Sequence, residues 1–198
     1  MKSMFTNQLQ QLMKAIKIHP KTLQKINNQL NNCNNNNTII NNTIISVSDQ
    51  NLKNVLNKNE KMAVLNSGSK AHLKLTDIIY KNPEYEKFRD VYITNLSNDI
   101  GYIFNKKDNR FIVKSKKDIL DDYGVERFSD IQYFYEELEN KIDSIKLAKL
   151  KKMVTAYFKD NEFKDAKNKE ILIELYNNRV QVQKIYDTIN KNIKEIEL

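Results

Sequence analysis

The chain has 198 residues, of which 33 are Lys or Arg and 25 are Asp or Glu, for a formal net charge of +8. Three Gly, two Pro and one Cys argue against Gly-rich phosphate loops and loop-rich sandwiches, exclude an intramolecular disulfide, and favour long helices. Hydrophobic residues reach only 40%, a lean core that suits elongated helices better than a sphere.

The charge is polarised. No acidic residue precedes Asp49, and residues 1–48 carry Lys2, Lys14, Lys17, Lys21 and Lys25. That stretch holds +5, whereas residues 49–198 are nearly balanced, with 28 basic and 25 acidic. An arm of this kind is attracted to something anionic: nucleic acid, a membrane surface or an acidic protein. Lys outnumbers Arg by 29 to 4. Arg is the residue suited to bidentate recognition of phosphate and guanine, so specific base reading is disfavoured. The same bias, with abundant Asn and Ile, is what AT-rich codons produce.

Residues 2–18 read as an amphipathic helix, with Phe5, Leu9, Leu12 and Ile16 at spacings of four and three. Pro20 interrupts it, and a second short helix with Leu23, Ile26 and Leu30 follows. Together they make a basic helical arm over residues 1–30. Ten of the sixteen residues from Asn27 to Asn42 are asparagine. Such a tract cannot bury enough apolar surface to order itself, so residues 31–47 read as a tether.

A small mixed domain is expected over residues 48–125. Ser48 and Asp49 read as caps for a helix over 49–59. Residues 62–75 are ambiguous between helix and strand, with a turn at Ser67-Gly68. Asn82-Pro83-Glu84 combines an N-cap, a first-turn Pro and an early acid. It predicts a helix over 83–97 burying Tyr85, Phe88, Tyr92 and Leu96. Residues 101–114 carry the one clear hairpin signal, with Tyr102-Ile103-Phe104 and Arg110-Phe111-Ile112-Val113 joined by five polar residues. Gly124 reads as a break after a short helix containing Ile119 and Leu120.

Residues 126–198 predict a long helical pair, over about 127–158 and 166–197. The first presents Ile131, Tyr135, Leu138, Ile142 and Ile145, then shifts face to Leu150, Val154 and Tyr157. The second runs Ile171, Leu175, Val182, Ile185, Ile189 and Ile196 on a near-heptad seam, with Asn178 and Asn192 at seam positions. Such helices pair as a hairpin in one chain or with copies of themselves. The fold class expected is helix-dominated α+β.

Catalytic signatures are missing from this pattern. His19 and His72 are the sole histidines and Cys33 the sole thiol, too few for a zinc ligand set. Asp118, Asp121, Asp122 and Glu126 lack the alternating acids and central Gly of a calcium loop and fit a solvated helix face. No nucleophile elbow, Walker loop or dinucleotide fingerprint occurs. No metal, cofactor or turnover is therefore expected.

The hairpin is the second basic feature. Lys106, Lys107, Arg110, Lys114, Lys116 and Lys117 outweigh Asp108 to give +5 over residues 105–117. They surround Tyr102, Phe104 and Phe111. Aromatics beside a basic ridge are the ingredients for stacking bases while neutralising phosphates. The same residues equally serve a core face and a guarded edge.

The expected function is structural: a subunit of a large assembly such as a virus or phage particle. Its partners would be other subunits in an oligomer, with the arm reaching nucleic acid or a neighbour. The alternative is a free-standing regulatory nucleic-acid binder with little sequence specificity. No stretch approaches the 18 apolar residues of a membrane span, and no secretory signal is evident. The expected location is intracellular or within a particle.

Overall fold

The computed structural model describes residues 44–196, with side chains placed as far as residue 189. The arm at 1–30, most of the tether at 31–47, Lys2, Lys14, Lys17, Lys21, Lys25, His19 and Cys33 lie outside the described residues, as does the Asn192 side chain. The fold is helix-dominated α+β, with one antiparallel sheet of three strands.

Among the described residues the first helices are α1 (Leu52–Val55), α2 (Lys58–Asn66) and α3 (Ala71–Lys81). The single helix expected over 49–59 is thus divided. A short 3-10 turn covers Val47–Asp49, and the chain extends at Leu56 with ψ 133°. The effective cap is Asn57, whose side chain accepts from the Asn59 and Glu60 amides while Glu60 accepts from the Asn57 amide. Gly68, at the expected turn, takes φ +56°, a conformation that favours glycine.

The helix expected over 83–97 is replaced by a 3-10 segment, Pro83–Phe88, followed by strand β1 (Val91–Tyr92). Asn82 does cap it, accepting from the Glu84 amide at 3.1 Å. Arg89 then ends it: the guanidinium donates to the Ile79 and Asn82 carbonyls at 3.3 and 2.9 Å, pinning the chain to the end of α3. The β-prone run after it pairs with the hairpin instead of continuing as helix. Tyr85, Phe88 and Tyr92 are buried as expected, but Leu96 is 46% exposed.

Strands β2 (Ile100–Asn105) and β3 (Arg110–Ser115) form the predicted hairpin. Their register pairs Tyr102 with Val113 and Phe104 with Phe111. β1 joins the other edge of β2, Val91 facing Ile103 and Tyr92 facing Tyr102. The connection turns on Asn105, whose side chain accepts from the Lys107 amide at 2.9 Å, and on Asn109 at φ +48°.

Four further helices follow among the described residues: α4 (Lys116–Glu137), α5 (Ser144–Lys159), α6 (Asn161–Asn177) and α7 (Arg179–Ile196). Each expected long helix is therefore divided in two. Asp143 and Asp160 create the new starts by capping α5 and α6 with their carboxylates. Asn178, expected in the seam, sits buried at the joint of α6 and α7, where its amide donates to the Glu174 carbonyl. Ile171, Leu175, Val182 and Ile185 are buried in the common core.

Gly124 does not break a helix. It lies within α4, which runs unbroken from Lys116 to Glu137, so the expected division at 125/126 falls inside one helix. The helix passes close to α5 and α6 at this point. A Cβ on Gly124 would meet the Tyr157 hydroxyl, and the Asn168 side-chain oxygen at 2.7 Å. The missing side chain admits a close helix crossing.

Candidate interaction surfaces

The hairpin residues are divided by the fold. Lys106, Lys107 and Arg110 are exposed around the tip, and Lys117 is exposed on the first turn of α4. Lys106 lies 3.5 Å from the Asp49 carboxylate, an exposed pair. Lys114 is tied to Asp122 at 2.7 Å. Lys116 is different: it is 6% exposed, its ammonium donates to the Asn98 carbonyl, and burial lowers its pKa from the ordinary lysine value. It belongs to the hairpin's base, and its charge is not on offer to a partner.

The hairpin aromatics are also spoken for. Tyr186 of α7 packs against Tyr92, Tyr102 and Phe111 at centroid separations of 5.0, 5.2 and 5.4 Å. Phe104 meets Phe111 edge-on at 5.6 Å. This face is core, in the tilted and T-shaped geometries that aromatic clusters favour. What remains outward is a cationic tip without a stacking platform.

A stronger charge pattern lies on two neighbouring helices. From Ser144 to Lys159, α5 has five lysines and no acidic residue. Its outer side is a shallow, largely apolar depression lined by Ser144, Ile145, Ala148, Lys149 and Lys152. Ile145, expected on the apolar face of the first long helix, is 66% exposed there, because the chain starts a new helix at Asp143 and turns this position outward. Lys149 and Lys152 are exposed and make no ion pair among the described residues. On α4 and the turn after it, residues 118–139 carry eight acids and one base, and that base, Arg127, is buried. The acids at 118–126 are dispersed: Asp121 pairs with Lys164 at 2.9 Å and Asp122 with Lys114. Among the described residues, no group of three or more His, Cys, Asp or Glu is disposed to hold a metal ion.

The buried ionisable groups work inward. Arg127 donates to the Gln50 side-chain oxygen at 3.0 Å, lies 3.6 Å from the Asp130 carboxylate, and stacks its guanidinium 4.9 Å from the Tyr123 ring centroid. Gln50 in turn donates to the Phe88 carbonyl at 3.0 Å and to Asp90 at 3.2 Å. Asp90 accepts from the Val47 amide at 2.6 Å. Burial pushes Asp90 up to about 7, against the pull of the Val47 amide and Arg127. Burial likewise raises Asp130 to about 6, opposed by Arg127.

A second buried site joins α3 to α6. His72 Nε2 is 2.9 Å from a Glu170 oxygen, and its ring stacks on Phe128, which stacks on Tyr157 at 3.8 Å. Burial lowers His72 to about 4, helped by Lys167 and opposed by Glu170. Both networks stitch distant segments together, the second reaching the surface through Glu170, whose side chain is 40% exposed.

Neither network was foreseen from the sequence. One signal was available: in a chain with 29 Lys, an Arg is a costly choice, and the planar guanidinium suits buried pairing. Two of the four, Arg89 and Arg127, are buried. The acid-free run of α5 was equally legible by the argument applied to the N-terminal arm.

The chain matches no family model, no curated protein and no solved structure. Among the described residues, no helix is long and apolar enough to cross a membrane.

Proposed function

We propose that this chain is a non-enzymatic structural subunit of a large assembly, such as a virus or phage particle, acting by binding and scaffolding. The observation that carries this reading is the segregation of surface charge on adjacent helices. α5 is lysine-only around the exposed Ile145, while the surface of α4 is acidic. Surfaces of one sign beside exposed apolar side chains favour association with partners of opposite sign. The buried charges support the same reading, since they hold the body together. In this reading the partners are other protein subunits, and the basic arm faces nucleic acid or a neighbour. The protein would act inside a cell or a particle.

A second reading rests on Lys106, Lys107 and Arg110 at the exposed hairpin tip. They suit contact with phosphates without base reading, as in a free-standing regulatory binder. Native mass and hydrogen exchange of the purified chain, with and without single- and double-stranded DNA and RNA, separate the two. A subunit associates with itself or with added subunits, and its exchange is little changed by nucleic acid. A dedicated binder gains protection over residues 102–117 on nucleic acid, with affinity falling steeply as salt rises.

A further inference from the structure

The outward positions of α4 recur at Asp118, Asp122, Val125, Ser129, Gln132 and Glu136, spacings of four and three that keep one side of a helix in view. Val125, partly exposed, is the one apolar residue on this stripe, with Asp118 and Asp122 on one side of it and Glu136 at the far end. The outward side of α5 has the opposite composition: Ile145, Ala148, Lys149 and Lys152, with Lys159 at its far end. At a rise of 1.5 Å per residue the two stripes run about 27 and about 21 Å, so the lysine stripe fits within the length of the acidic one, and the two are opposite in sign.

We infer that the lysine face of α5 docks on the acidic face of α4 in a second copy of this chain. The inference rests on the assembly reading above and names the partner. Charge complementarity selects the occupant. Lys149 and Lys152 have no ion pair within the described residues, and neither has Asp118 or Glu136. Within one molecule α4 and α5 pack against each other through Phe128 and Tyr157, so their inner sides are occupied and, among the described residues, their outer sides are left to a second copy. Each copy carries both halves of the contact. Association therefore either closes between two copies or continues from copy to copy. Exposed ion pairs contribute little individually, so the contact is weak, concentration-dependent and sensitive to salt.

The test uses the full chain, its molar mass measured by sedimentation over a wide concentration range at low and high salt. The wild type gains mass with concentration at low salt and loses it in about 1 M salt, where the screening length falls to about 3 Å. The double variant Lys149→Glu, Lys152→Glu and the double variant Asp118→Lys, Glu136→Lys each raise the half-association concentration at least about tenfold. Mixed together, the two variants associate again, since each now carries the complement of the other. All four positions are on the surface, and an unchanged circular dichroism melt shows that folding is intact. If the chain associates but neither reversal weakens it, the docking is wrong and the assembly reading stands. If the chain stays monomeric at every concentration and binds DNA through Lys149 and Lys152, both fail.

Discussion

Arg127 and Gln50, 77 positions apart, meet through a 3.0 Å hydrogen bond in a region closed to solvent. Gln50 is the hub: it also holds the Ile45 and Phe88 carbonyls and the Asp90 carboxylate. The segment that follows the Asn-rich tether is thus sewn into the centre of the body.

Removing the guanidinium leaves two buried carboxyl groups without their compensating charge. Arg127→Met should destabilise the fold by about 3–5 kcal/mol, the cost typical of breaking a buried pair from one side. Gln50→Ala should cost about 1–3 kcal/mol by stranding its partners. Urea unfolding measures both. Hydrogen exchange at the Val47 amide, bonded to Asp90, should accelerate in each variant.

Stability should depend on pH in opposing ways at two sites. Asp90 and Asp130 titrate at about 7 and about 6 in the fold, against about 4 when unfolded. The folded state therefore holds more protons, and their contribution is complete below about pH 4 and lost as pH rises through those values. His72 titrates at about 4 when folded and about 6.5 when unfolded. Its contribution is complete above about pH 6.5 and lost as pH falls towards 4. Asp90→Asn should remove a falling limb between pH 4 and 7, and His72→Gln a rising limb between pH 4 and 6.5. Urea midpoints of the three proteins across pH 4–8 check the sign of each.

In an ordinary helix interior, Gly→Ala stabilises by about 1 kcal/mol. At Gly124 it should do the reverse. The new methyl runs into Tyr157, whose ring is clamped on Phe128 and whose hydroxyl donates to Asn168 at 2.9 Å. A loss of about 1–3 kcal/mol is expected. The double variant Gly124→Ala, Tyr157→Phe, which removes the obstructing oxygen, should recover part of it. Thermal melts of the two variants and of Tyr157→Phe alone give the comparison.

The hairpin lysines should separate into two kinds. Lys116→Ala removes a buried donor from the Asn98 carbonyl and should cost about 1–3 kcal/mol. Lys107→Ala and Lys117→Ala, on exposed side chains, should stay within about 0.5 kcal/mol. Chemical denaturation of the three variants distinguishes a structural lysine from surface ones.

Much of the local structure was legible because it depends on neighbours in the chain. The hairpin followed from two β-prone runs around a polar turn, and Asn82 caps the next segment as its type and place predict. The failures have local causes too. The spacing of Tyr85, Phe88 and Tyr92 mimics a helical face, yet Arg89 ties the chain down and frees Val91 and Tyr92 to pair with β2. In the C-terminal region the heptad-like seam concealed two aspartate caps and the joint at Asn178. Of the six basic residues singled out at the hairpin, the fold leaves four outward, half-buries Lys114 against Asp122 and buries Lys116.

The class of this protein was already legible in its local patterns: mostly helix, a hairpin, few turns, and charge gathered into blocks. Those properties come from composition, periodicity and capping, which act over a few residues. Only the tertiary structure decided that Gly124 is a crossing point, that Tyr186 occupies the hairpin's aromatic face, and that Arg127 and Asp90 close over Gln50. These partners lie tens of residues apart, and burial, which makes each contact matter, is a property of packing that no local pattern encodes.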